Sequence, residues 1–189
     1  MEAKQSVPYP GKGKNPDAEI RDYLCPRMAK ELSAQDWDDL IDTFAETPAS
    51  DSDMTDNGRL LSEFTVITLC RYNKDRPRLI RLLSNHYTWD IGFSPLEDFL
   101  AYAGPGTDPI LILNEAYKAS HRPEVMKLIV YSCHHAFDPV GIRGDSDDQF
   151  MKNWVVWYLN AKHLVKPNYE YRQKIGNGEN DKSPLFVPK

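Results

Sequence analysis

No stretch of 18 apolar residues occurs in the chain, and its mean hydropathy is −0.58. A membrane-spanning helix is therefore not expected. Met1-Glu2-Ala3-Lys4-Gln5 offers no apolar h-region, so no secretory leader is expected either. Cysteine is scarce: Cys25, Cys70 and Cys133 are odd in number, far apart and without a Cys-x-x-Cys pair. That pattern excludes a disulfide framework and predicts buried thiols in a reducing compartment. Familiar catalytic signatures are missing too. There is no Gly-x-Ser-x-Gly elbow and no His-Glu-x-x-His, and Gly11-Lys12-Gly13-Lys14 lacks the spacing of a phosphate-cradling loop. Bulk positive charge is also absent, with 23 Lys and Arg against 28 Asp and Glu and a net charge of −5. This argues against a general nucleic-acid coat but leaves room for a local basic patch. A soluble, intracellular, cytoplasmic chain with no membrane partner is the expectation.

What is present suffices for one core. Leu, Ile, Val and Phe make up about 23% of the 189 residues, above the range where disorder is the default. At this length about 70% of the unfolded surface is buried on folding. Residues 1–14, rich in Pro, Gly and Lys, read as an extended N-terminal arm, and residues 166–189 as an extended C-terminal tail. The tail closes on the apolar knot Pro184-Leu185-Phe186-Val187-Pro188, suited to dock on this domain or a neighbour.

Residues 15–165 read as a single α-helical domain. Asn15-Pro16 with Asp17 and Glu19 opens a first helix that Pro26 should break or kink. Ser33 with Asp36 caps a second, carrying Trp37, Leu40, Ile41 and Phe44 at helical spacing. A polar loop runs from Thr47 to Asn57, and Leu60 to Tyr72 is apolar nearly all round, as a buried central helix would be. Ser94-Pro95-Leu96-Glu97 launches Leu96 to Tyr102, and Asp108-Pro109 launches Ile110 to Ala119. Ser146 caps a last helix whose Phe150, Trp154, Val155, Tyr158 and Leu159 make one face.

A weak repeat joins the middle segments. Asp75-Arg76-Pro77-Arg78-Leu79-Ile80-Arg81-Leu82-Leu83 aligns with His121-Arg122-Pro123-Glu124-Val125-Met126-Lys127-Leu128-Ile129. Leu79, Leu82, Leu83 and Tyr87 map onto Val125, Leu128, Ile129 and Cys133. Helix pairs at this period suggest a short HEAT-like or armadillo-like solenoid. The competing reading takes Phe64 to Leu69 and Ile110 to Leu113 as buried strands of an α/β sheet. In it, Val66 to Asn73 followed by Arg76-Pro77 resembles the opening strand of a GT-A glycosyltransferase, which would imply a metal-dependent nucleotide-sugar transferase. Asp145, Asp147 and Asp148 would then hold the metal, although helix capping explains them more simply. Helix is favoured in both segments, because each continues past ten residues without a breaker.

Five cations, Arg71, Lys74, Arg76, Arg78 and Arg81, fall within eleven residues opposed locally only by Asp75. Such a row suits a phosphate, a nucleic-acid backbone or an acidic protein surface; the alternative is a solvated face with internal ion pairs. The second repeat carries Glu124 and Lys127 instead of Arg78 and Arg81, so the row is not imposed by the helix itself. Trp154 and Tyr158 read as core, whereas Trp157 diverges from their face and reads as a partner anchor. No metal set is complete. Asp53, Thr55, Asn57 and Gly58 imitate a calcium loop but Phe64 stands where the bidentate carboxylate belongs. Cys133-His134-His135 with Asp138 places adjacent histidines about 100° apart on a helix. The expected function is a non-enzymatic interaction or scaffold subunit of a larger assembly, with protein partners or copies of itself and no cofactor. A nucleic-acid-associated subunit using the 71–81 row is a further alternative.

Overall fold

In a computed structural model the described residues are 16–46, 56–85, 99, 107–137, 142–167 and 186–188. The N-terminal arm, the helix expected at Leu96 to Tyr102 apart from Phe99, Tyr87, Asp138 and most of the C-terminal tail lie outside them. Seven helices account for nearly all of the described chain, so the fold is all-α. They are α1 (Pro16–Glu31), α2 (Ala34–Glu46), α3 (Asp56–Ile67), α4 (Arg76–Asn85), α5 (Pro109–Ala119), α6 (Pro123–Phe137) and α7 (Asp147–Ala161).

The local signals act where they stand. Ser33 and Asp36 close a reciprocal capping box on α2: Asp36 N–H donates to Ser33 Oγ at 3.2 Å, and Ser33 N–H donates to Asp36 Oδ2 at 2.8 Å. Ser146 Oγ accepts from the Gln149 N–H at 3.2 Å and starts α7. Asp75 performs the same service for α4, accepting from the Arg78 N–H at 3.1 Å. Pro26 departs from expectation, because α1 runs through it without a break. Proline there removes one amide donor, but the position is exposed, so water can reach the vacated carbonyl.

The β-branched segment Phe64 to Leu69 is helix, not strand. Every residue from Ser62 to Leu69 is buried, so no polar edge or solvated face is available to it. Its threonines resolve their hydroxyls locally. Thr65 Oγ1 donates to the Leu61 carbonyl at 2.7 Å and Thr68 Oγ1 to the Phe64 carbonyl at 2.6 Å. Beyond Ile67 the coil widens into a π-helical turn, Thr68–Asn73, that ends at Lys74 in the left-handed region, φ 52° and ψ 36°. Ile110 to Leu113 is likewise helical, in the first turns of α5. The two strands required by the α/β alternative are therefore absent from these segments.

Packing centres on α4 and α5, with α2 lying on α4, and α6 and α7 on α5. Leu79, Leu82 and Leu83 of α4 meet Ile110, Leu113 and Ala116 of α5, joined by Trp37 and Ile41 of α2 and Ile129 and Cys133 of α6. Each such aliphatic side chain contributes about 1.5–3 kcal/mol when fully buried. Both copies of the repeated stripe face this core: Leu79, Leu82 and Leu83 in one, Val125, Ile129 and Cys133 in the other, with Leu128 partly buried. A second cluster, Cys25 with Phe64 and Ile67, holds α1 against α3. Arg21 adds an ion pair to the buried Glu63 at 3.6 Å.

On α7 the buried arc is Phe150, Met151, Trp154 and Tyr158. Leu159, expected on that face, is 49% exposed, since it lies one helical step of about 100° beyond Tyr158. After α7 the chain forms β1 (Val165–Pro167), which pairs antiparallel with β2 (Phe186–Pro188), Lys166 opposite Val187. The apolar knot thus returns to the point where the tail departs.

Candidate functional site

Arg76, Arg78 and Arg81 of the cationic row do not stand alone in space. Arg78 grips Asp38 of α2 side-on, Nε to Oδ1 at 3.1 Å and Nη2 to Oδ2 at 3.3 Å. Its Nη1 donates to Asp75 at 2.8 Å and its Nη2 also reaches the Ala34 carbonyl at 3.3 Å. Arg81 donates to the same Asp38 oxygen at 3.0 Å and pairs with Asp42 through its other terminal nitrogen. Arg76 makes a two-pronged contact with Glu115 of α5, at 3.1 and 2.6 Å. Four carboxylates from α2, the α4 cap and α5 therefore answer three guanidinium groups.

The electrostatics follow the geometry. The hydrogen bond from Arg78, aided by the charges of Arg78 and Arg81, holds the Asp38 carboxyl below the usual carboxylate range against some desolvation. Arg76 does the same to Glu115. Arg78 in turn is pushed further up by Asp38 and Asp75. The row is a clasp between helices before it is a surface. Asp38 and Asp42, four apart on α2, were the signal that the sequence carried for it. They flank the Trp37 and Ile41 stripe that has to face α4.

Lys74 and Arg71 differ from the other three. Both are exposed on the π-helical turn and its cap, and Lys74 pairs with no carboxylate among the described residues. A left-handed conformation usually taken by glycine holds the Lys74 side chain out.

Trp157 is half-buried rather than free. Its ring meets Trp154 edge-on, centroids 5.3 Å apart, and Trp154 in turn meets Phe150 at 6.1 Å. The outward face of α7 beside it exposes Val156 at 53% and Leu159 at 49%, and the turn that follows exposes Leu164 at 60%. Val156 and Leu159 are spaced i, i+3; in the sequence Leu159 reads as part of the core face and Val156 is not singled out.

The remaining candidates carry no metal chemistry in their described parts. No group of three His, Cys, Asp or Glu able to hold an ion occurs among the described residues. Cys133 is fully buried and its thiol is pushed up to about 12 by that burial, so it is inert. Asp148 accepts the Tyr117 hydroxyl at 2.7 Å, while Asp145 and Asp147 are exposed. Asp53 and Thr55 of the calcium-like loop lie outside the described residues, and Asn57 and Gly58 belong to the first turn of α3. The side chains of His134 and His135 are likewise outside.

No family model, no curated protein and no solved structure matches this chain. No helix among the described residues is long and apolar enough to cross a membrane.

Proposed function

We propose that the chain is a non-enzymatic interaction subunit of a larger intracellular assembly, cytoplasmic, built from a short run of HEAT-like or armadillo-like helix pairs. The observation that carries this reading is the row Val156, Leu159 and Leu164. Val156 and Leu159 stand outward on a helix whose opposite face is already core, and Leu164 is exposed in the turn that follows it. A surface of that kind is matched by a protein partner more readily than by a small molecule. The repeat supports the architecture, since both copies turn the same stripe inward. Extended arms and the exposed Arg71 and Lys74 would add contacts at the edges, to an acidic surface or a phosphate. A nucleic-acid role for the whole row would require Arg76, Arg78 and Arg81 to leave their carboxylates, so it ranks second.

The test is a photo-crosslinking amino acid placed at Val156 in the full chain, expressed in its native cell, with exposed Lys30 of α1 as control position. Position 156 should give an adduct of one defined mass that Leu159→Glu abolishes. No adduct beyond the control would refute the reading.

A further inference from the structure

The outward face of α7 also has a charge character that the rest of the chain does not share. From Gln149 to Tyr169 the sequence carries Lys152, Lys162 and Lys166 and not one carboxylate, in a chain of net charge −5. Lys152 lies one turn before Val156 on the exposed side of α7, and Lys162 follows one turn after Tyr158. The carboxylate facing Lys162 is Asp108, at 4.0 Å. Its other oxygen already accepts the Tyr158 hydroxyl at 2.7 Å, and the Lys162 side chain remains 46% exposed. Asp148, at the start of the same helix, is engaged by Tyr117. The apolar row therefore has exposed Lys152 one turn before Val156 and half-exposed Lys162 between Leu159 and Leu164.

We infer that this face docks an amphipathic helix of a partner protein, one whose apolar stripe covers Val156, Leu159 and Leu164 and whose borders are acidic. The inference rests on the interaction-subunit reading and adds the partner's chemistry. Two features select a helix with acidic borders. The i, i+3 spacing of Val156 and Leu159 presents a ridge that a second helix can straddle. Lys152 and Lys162 beside the row then reward Glu or Asp on the incoming helix and penalise Lys or Arg, which sets partner choice. An anionic membrane has the same charge but needs a wide apolar face. Here the row is three side chains, and Trp157, which would anchor in a bilayer, is tucked edge-on against Trp154.

The experiment uses the full chain and two synthetic peptides that share one amphipathic helix, one bordered by Glu and the other by Lys, followed by fluorescence anisotropy. The acidic peptide should bind about tenfold or more tightly than the basic one at low salt, with the gap closing as salt screens it. Leu159→Glu and, separately, Lys152→Glu should each weaken that binding while circular dichroism is unchanged. Equal binding of the two peptides, binding of neither, or binding that survives Leu159→Glu overturns the inference. So does preferential binding to vesicles of mixed neutral and anionic phospholipid, or a dimer by light scattering that Leu159→Glu dissolves. If the peptides fail while position 156 still crosslinks to another protein, only the acidic-helix inference falls. If position 156 crosslinks to nothing, the interaction reading falls with it.

Discussion

The Tyr158 hydroxyl donates to Asp108 Oδ1 at 2.7 Å across 50 positions of sequence. Its counterpart runs the other way: the Tyr117 hydroxyl donates to Asp148 Oδ1, also at 2.7 Å. Asp108 heads α5 and Tyr117 lies near its end; Asp148 heads α7 and Tyr158 lies near its end. The two antiparallel helices thus exchange one tyrosine-to-aspartate bond at each end. Asp108 makes no side-chain cap bond to its own helix, and its carboxylate is kept for α7 instead. The negative charge still sits at a helix N-terminus, where the backbone dipole favours it.

Tyr158→Phe and Tyr117→Phe should each cost about 1.5 kcal/mol, at the low end for a bond to a charged group because water still reaches the aspartates. The two sites are roughly 15 Å apart along α5, so the double variant should be nearly additive. Urea unfolding of the three variants measures both statements.

The same bonds set a limit at high pH. Burial, then Asp148, pushes the Tyr117 hydroxyl up to about 12 from an ordinary value near 10, and Tyr158 is raised by burial, then Asp108. A raised folded-state value means stability is complete below the unfolded value and lost as pH climbs through the folded one. Stability should therefore fall between about pH 10 and 12. Tyr117→Phe should make that fall shallower, as followed by fluorescence-monitored melting across the range.

Local chemistry was legible in the sequence and distant chemistry was not. Ser33 with Asp36 and Ser146 with Gln149 act within three residues, so their caps could be read directly. The burial of Phe64 to Leu69 could be read from the nearly all-round apolar stretch Leu60 to Tyr72, although Leu61, Arg71 and Tyr72 of that stretch are exposed. The cationic row could not be read in full. Arg78 meets Asp38 forty positions away and Arg76 meets Glu115 thirty-nine away, and only the packing of α2 and α5 on α4 brings them together. Pro26 and Leu159 failed for a related reason. Whether a proline interrupts, or a leucine is buried, depends on which side of the helix the rest of the fold covers.

Lys74→Gly should stabilise the chain by about 1 kcal/mol, because a left-handed backbone costs an L-residue about that much and glycine almost nothing. The gain should appear as a higher urea midpoint at unchanged slope. A loss would mean that the lysine side chain secures the turn between the π-helical segment and α4.

Gly144→Ala should destabilise by about 1–3 kcal/mol, as overpacking against fixed backbone does. A Cβ at this position would stand 2.7 Å from Phe150 Cα and 2.9 Å from the Gln149 carbonyl carbon, atoms that cannot swing aside. The loop would have to lift from the first turn of α7 and surrender the bond from Asn153 Nδ2 to the Arg143 carbonyl. Calorimetry should show a loss exceeding the cost of about 1 kcal/mol expected for removing the cap with Ser146→Ala.

Charge reversal of the clasp, Arg78→Glu with Arg81→Glu, separates a structural row from a binding one. Reversal puts two carboxylates against Asp38, Asp42 and Asp75, where three polar contacts of Arg78 and two of Arg81 now hold α2 to α4. The variant should therefore melt several degrees lower, at roughly 2–4 °C per kcal/mol for a chain of this size. The pH and salt profiles of the parent supply the control. Asp38 is held low by Arg78, so its share of stability is present above the ordinary carboxylate value and lost as pH falls through the depressed one. Salt should weaken the parent's clasp and relieve the repulsion in the variant, bringing the two melting temperatures together. Reversal of Glu124 and Lys127, the corresponding pair on α6, should shift melting little, since both are exposed. Equal melting of the 78/81 variant and its parent at low salt would show that the clasp contributes nothing to the fold. The row would then be open to serve a ligand.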